Sequence, residues 1–194
     1  ESLLPQEEPW RLAGEVLNTY IIVEQGDKVL FIDKHAAHER MNFDRMKAEG
    51  YDPMSQTLLA PAVCRLSPEE HAALTARLPL LEEFGFAAED FGGGALIVRR
   101  APFDVDPGDI EATLTEIARK LLSTGSADPA AARDELLHTM ACKAAIKGGW
   151  RTSPQELERM ARAVMSGQVR YCPHGRPVAI ELTRGQLEKQ FKRA

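Results

Sequence analysis

The chain has no apolar run near the roughly 18 residues that a helix needs to cross a bilayer, which argues against a membrane span. No secretory leader is expected: E-S-L-L-P-Q-E-E-P-W is acidic and broken by proline where a leader is basic and then apolar. That opening reads as a linker, so the expectation is a fragment of something longer. No basic excess is present, since 24 Lys and Arg stand against 29 Asp and Glu, a net charge of −5. Strong unaided binding to nucleic acid needs phosphate-neutralising Lys and Arg and is not expected, which leaves only a local basic patch. Three cysteines, Cys64, Cys142 and Cys172, are too few and too scattered for a disulfide framework. They fit a reducing, intracellular setting with thiols free to bind metal. Internal repeats and low-complexity tracts are absent. G-G-G at 92–94 lacks the Lys and Ser/Thr context of an ATP-binding loop.

What is present suits one large domain or two small ones in 194 residues, with 44% hydrophobic residues to build a core. Residues 14–23 read as a strand, Gly26 and Asp27 as a turn, and 29–33 as the second arm of a hairpin. Asp33 is placed to cap a helix over about 35–48, with Gly50 ending it. Residues 57–66 read as extended, with Pro61 favouring an edge or a break. Ser67-Pro68-Glu69-Glu70 opens a helix predicted to reach about Phe84. A hairpin over 86–90 and 95–100 and a helix over 107–122 follow. S-T-G-S-A-D-P (123–129) reads as a linker. Helices are predicted over 130–147, ending at Gly148-Gly149, and over 153–166. A strand at 177–182 then leads into a last helix capped by Thr183. The fold class is α+β (mixed α/β) with two lobes, 1–60 with 127–194 forming one and 62–126 inserted as the other.

Three stretches carry chemistry. In D-K-H-A-A-H-E-R (33–40), His35 and Glu39 are four apart and share one helix face, so both reach one cation. Asp33 at the helix mouth can join them or hold a second ion, and His38 is a weaker candidate. The plainer alternative has Asp33 capping, Glu39 paired with Lys34 or Arg40, and His35 half-buried. In R-Y-C-P-H-G-R-P (170–177), Cys172 and His174 flank a proline in a stiff turn and present sulfur and nitrogen to one side, which suits zinc. The alternative is a polar turn with a half-buried thiol. In M-A-C-K-A-A-I-K-G-G (140–149), Cys142 lies among small residues, where a thiol is usually plain core. Together these stretches offer N, O and S donors, and such a set can hold a metal pair of the kind that hydrolyses phosphodiesters. A cysteine hydrolase using Cys172 and His174 is disfavoured, because their spacing in a stiff turn makes the nucleophile–base geometry awkward.

In this order D-K-H-A-A-H-E-R, A-C-K-A-A-I-K and C-P-H-G-R-P, with a terminal F-K-R (191–193), resemble the C-terminal domain of MutL-type DNA mismatch-repair proteins. The likeness is to the bacterial members that carry a nicking endonuclease, and it spans residues 33–193. It implies a dimerisation lobe (1–60 and 127–194) holding the endonuclease site, and a regulatory lobe (62–126). It implies catalytic roles for Asp33 and Glu39, and metal binding by His35, Glu39, Cys142, Cys172 and His174. Zn²⁺ would be structural or regulatory and Mn²⁺ or Mg²⁺ catalytic, with ATP bound only by a missing N-terminal domain. Two positions depart from the pattern: Lys34 stands where the family has Gln, and Asp44 where it has Glu. A Lys34 pointing inward would repel a metal, while Asp44 keeps a carboxylate on a shorter arm. Q-T-L-L-A-P (56–61) resembles the family's sliding-clamp motif, with Gln56 at the pocket rim, Leu58 and Leu59 in apolar pockets, and Pro61 closing the motif. The alternative is an ordinary strand with both leucines in the core. Arg170, Arg176, Lys189, Lys192 and Arg193 lie near the metal motifs in sequence, and Arg176, Lys192 and Arg193 are the candidate phosphate contacts. The implied partners are a second copy, duplex DNA, the clamp and, through the full-length protein, a MutS-type mismatch sensor, in the bacterial cytoplasm at the nucleoid. The rival is a catalytically silent dimerisation and clamp-binding module with a structural zinc.

Overall fold

The computed structural model describes residues 8–124, 128–145 and 149–193. Residues 1–7 and 125–127, within the linkers expected at 1–10 and 123–129, and Gly148 of the expected helix end lie outside the described residues. The chain has the mixed α+β composition expected and divides into two compact units, Glu1–Asn42 with Ala145–Ala194 and Phe43–Ala144. The boundaries drawn from sequence at 60–62 and 126–127 differ from these. The segment 55–65 pairs with 95–102, which places it in the second unit.

The first unit is an antiparallel sheet of β1 (Trp10–Val16), β2 (Tyr20–Gln25), β3 (Lys28–Asp33) and β7 (Ala179–Thr183), in the order β1-β2-β3-β7. The single strand predicted over 14–23 is the end of β1 and the start of β2. The chain turns at Leu17-Asn18, both with left-handed φ (56° and 46°), and Thr19 N donates to Val16 O at 3.0 Å. Left-handed φ at both central residues is the pattern of a type I′ turn. Without Gly or Pro, Asn18 was the sole sequence cue. Ile21, Val23 and Ile32 alternate onto one face and meet Leu157, Met160 and Ala161 of α6 (Pro154–Met165). Ser153 caps α6 through Glu156 N. Thr183 and Gln186 form a capping box for α7 (Arg184–Gln190). α1 (Lys34–Glu49) follows β3 directly, and the boundary between units falls within it.

The second unit has a three-stranded antiparallel sheet, β4 (Ser55–Arg65), β5 (Ala87–Gly92) and β6 (Ala95–Pro102), in the order β4-β6-β5. Its helices are α2 (Pro68–Thr75), α3 (Leu78–Glu83), α4 (Ile110–Ser123, preceded by a 3₁₀ turn) and α5 (Pro129–Lys143). The long helix expected from Pro68 is two helices, because Pro79 supplies no N–H and sits in the first turn of α3. Thr57 faces Arg100 and Ala62 faces Val98, so Leu58–Pro61 bulge outward opposite Arg99. Pro61 lies in this bulge of an edge strand, where its missing donor breaks no ladder.

Candidate metal centre

Hydrophobic alternation ends β3 at Asp33, and the next residue starts α1. Asp33 Oδ1 accepts Ala36 N at 3.0 Å, so this carboxylate caps α1. One helical turn then aligns His35 and Glu39, with His35 Nε2 3.9 Å from Glu39 Oε2. The loop from α6 to β7 comes to the same carboxylate, and His174 Nδ1 lies 3.2 Å from Glu39 Oε1. The loop is held as a tight turn by Gly175 N to Cys172 O (2.9 Å) and Cys172 N to Arg176 O (2.8 Å). Asp33 N donates to Val178 O at 2.8 Å, which ties the loop's exit to the start of α1.

Glu39 is the centre of this arrangement. Its side chain is only 5% exposed, whereas His35 and His174 are each partly open to solvent. Oε1 is buried and lacks a hydrogen-bond partner, because the close approach of His174 is not aligned as a hydrogen bond. An unsatisfied buried carboxylate oxygen is costly, about 1–3 kcal/mol or more for a charged group. A cation bridging the carboxylate and the imidazoles would remove that cost, so these residues fit a metal. Cys172 is 4% exposed and belongs to the first unit's core cluster with Ile32 and Val178. Carboxylate, imidazole and thiol are the donors that zinc accepts.

Cys142 is partly exposed near the end of α5, in the second unit. His38 Nε2 lies 3.6 Å from Glu156 Oε1 on α6. Lys34 does not point at the imidazoles, nor does it pair with Glu39. Its buried Nζ is 2.5 Å from Glu15 Oε1 and 2.6 Å from Trp150 O, which removes the expected repulsion. Sequence reasoning missed Glu15 and the Trp150 carbonyl, because nothing local links position 34 to either. The departure to Lys34 itself was the available signal. Arg176 is exposed in the loop at the Asp33 end of the sheet. Lys192 and Arg193 do not share a patch with it. They follow α7, whose cap Thr183 faces Lys28 at the other end of β3, about 17 Å away at strand rise. Arg193 instead lines a hollow with Lys28, Glu24 and Phe191. In the bulge of β4, Leu59 is 108% exposed and Pro61 is exposed, Gln56 is half-buried, and Leu58 packs on the second unit's core. The contact of Leu58 with the core fits the ordinary-strand alternative for that leucine.

The sheet face opposite α6 is also apolar. Val16, Tyr20 and Ile180 are exposed there, and they line a concavity of about 470 Å³ with Leu17, Phe31 and Asp33. No described helix is long and apolar enough to cross a membrane.

A buried carboxylate between two imidazoles, on an α+β unit with a free apolar sheet face, defines a class of protein with a candidate transition-metal centre. Residues 13–152 match the family described as MutL C terminal dimerisation domain, and the chain belongs to that family. It is 33% identical over 184 residues to a protein of Caldanaerobacter subterraneus subsp. tengcongensis, covering 94% of this chain and 31% of that protein. It is 36% identical over 185 residues to one of Methanothrix thermoacetophila, covering 94% and 33%. It is 35% identical over 204 residues to one of Methanoculleus marisnigri, covering 100% and 33%. Each of these relatives is called DNA mismatch repair protein MutL. The chain spans about a third of the length of the curated relatives it matches.

Proposed function

We propose that the chain is the metal-dependent, DNA-nicking part of a MutL-type mismatch-repair protein and acts as a homodimer. The observation that carries this reading is the buried, unsatisfied Oε1 of Glu39 between His35 and His174. Glu39, Cys172 and His174 would hold Zn²⁺, with His35 and Cys142 as further donors; Mn²⁺ or Mg²⁺ would serve catalysis. A divalent ion held there would supply Lewis-acid chemistry to a phosphate and its attacking water. Glu39 and Asp33 orient the reacting groups, and the bond from Ala36 N holds the Asp33 carboxylate at the end of β3. Arg176, exposed in the loop of His174, neutralises a phosphate of the duplex. Lys192 and Arg193 are assigned a separate phosphate contact.

The family's dimerisation role and the apolar sheet face around Tyr20 and Ile180 support a second copy docking there. With a net charge of −5 the chain relies on tethering for its DNA affinity. Gln56, Leu59 and Pro61 would recruit a sliding clamp, while ATP and a MutS-type sensor act through parts outside this chain. The reading places the protein in the cytoplasm at the nucleoid. A second reading, a silent dimerisation and clamp-binding module with a structural zinc, is favoured by the burial of Cys172. Nicking of supercoiled DNA with Mn²⁺ separates the two. The endonuclease reading expects nicks from the wild type that fall to background in Asp33→Asn. Absence of wild-type nicking, with the clamp present, supports the silent module.

A further inference from the structure

Lys34 is fully buried, a rare state for a lysine. A buried ammonium is tolerated only when paired and hydrogen-bonded. Both conditions are met within the first unit. Glu15 of β1 neutralises Nζ from 2.5 Å, and Trp150 O accepts a second N–H at 2.6 Å. The backbone is fastened at the same place. Lys34 N donates to Thr19 O at 3.0 Å, and Gly149 N donates to Asn18 O at 3.0 Å. Lys34 therefore joins three segments that are distant in sequence: β1, the start of α1, and the strap that leads into α6.

Its position in the chain gives this joint a consequence. Lys34 lies between Asp33 and His35 and is the first residue of α1. The first turns of a helix move as one body, so an anchor on Lys34 fixes the direction of His35 beside it and of Glu39 one turn on. His174 reaches Glu39 from a separate loop, so their separation depends on how that first turn is held.

We propose that Lys34 is a positioning residue: its buried pair with Glu15 and bond to Trp150 O hold His35 and Glu39 in register with His174 for metal binding. This rests on the metal-centre reading above. The motif it resembles has Gln at this position, and a Gln amide is both shorter and neutral. It keeps one donor for Trp150 O but cannot neutralise Glu15, so in this chain Lys34 and Glu15 act as a linked pair.

The test is Zn²⁺ titration of the wild-type chain against Lys34→Met, Lys34→Gln and the double variant Lys34→Met/Glu15→Gln. The double variant leaves no unpaired buried charge and keeps the test valid if Lys34→Met alone does not fold. Ile32→Val, a core change in the neighbouring strand, controls for general loss of stability. Lys34→Met and the double variant are expected to weaken Zn²⁺ binding about 10- to 100-fold, as loss of a group that orients ligands does. Lys34→Gln recovers part of the affinity, and Ile32→Val binds as the wild type does. The visible bands of the Co²⁺-loaded chain shift in the double variant but not in Ile32→Val. Wild-type affinity in the double variant overturns the inference while leaving the metal centre intact. A wild type that binds no Zn²⁺ overturns the metal-centre reading and this inference with it.

Discussion

Glu39 and the cysteines show what single residues contribute. Helical spacing made Glu39 and His35 legible in the sequence, and the stiff turn did the same for Cys172 and His174. The state of Glu39, buried with an orphaned oxygen, was not legible, because it depends on a loop more than a hundred residues further along. The three thiols differ in a way that thiol chemistry can read. Cys64 has no exposed surface, and burial, helped by the Glu111 carboxylate, pushes its thiol up to about 11. The thiolate is the reactive form. At pH 8 Cys64 is therefore expected to resist an aromatic disulfide reagent in the native chain and to react on denaturation. Mass mapping of the labelled peptides checks this, and native labelling of Cys64 ahead of the partly exposed Cys142 counts against the burial described.

Among the elements, those with strong local signals were readable. β3 and the start of α1, with Asp33 as cap, follow from alternation and from an acid before a helical stretch. The same holds for the proline-opened helix starts at Pro68 and Pro154. Elements set by distant pairing were not readable. The turn at Leu17-Asn18 is fixed by bonds from Thr19 and Gly149, and the bulge of β4 exists only through its register with β6. The bulge separates two adjacent leucines that the sequence treats alike. Leu58→Ala is expected to cost about 2 kcal/mol, the low end for a leucine that packs on a core. Leu59→Ala is expected to change stability by no more than about 0.5 kcal/mol, as at other open surface sites. The clamp reading adds that Leu59→Ala weakens clamp binding. Urea melts and a clamp pull-down check both, and equal stability losses would contradict the bulge.

On the scale of the whole molecule, topology decides which motifs meet. Antiparallel return of β7 brings the loop of His174 to Asp33 and carries Lys192 and Arg193 to the opposite end of the sheet, so nearness in sequence misled for the basic residues. Acid stability is also a whole-molecule property. Bonds from Ser67 N and Arg119 hold the Glu70 carboxyl below its usual value of 4.5, and bonds from Gly92 N and His71 hold Asp90 below 3.8. A carboxyl depressed by folding binds fewer protons in the folded state, so its stabilisation is present above the ordinary value and is lost as pH falls through the folded one. Thermal melts are expected to be unaffected by these two groups above pH 4.5 and to decline below it, with a shallower decline in Glu70→Gln, which keeps the capping box. An unchanged slope would remove Glu70 from the account. The central claim is that α1 and the loop of residues 170–177 make one metal site. The most direct test is Zn²⁺ titration of the wild-type chain, Glu39→Gln and Cys172→Ser. Structural zinc is held by about 10–16 kcal/mol over four ligands, so loss of one costs about 3 kcal/mol, or about 100-fold. The account predicts one tight site in the wild type and a loss of that size in both variants. No wild-type binding, or binding indifferent to both changes, would contradict it.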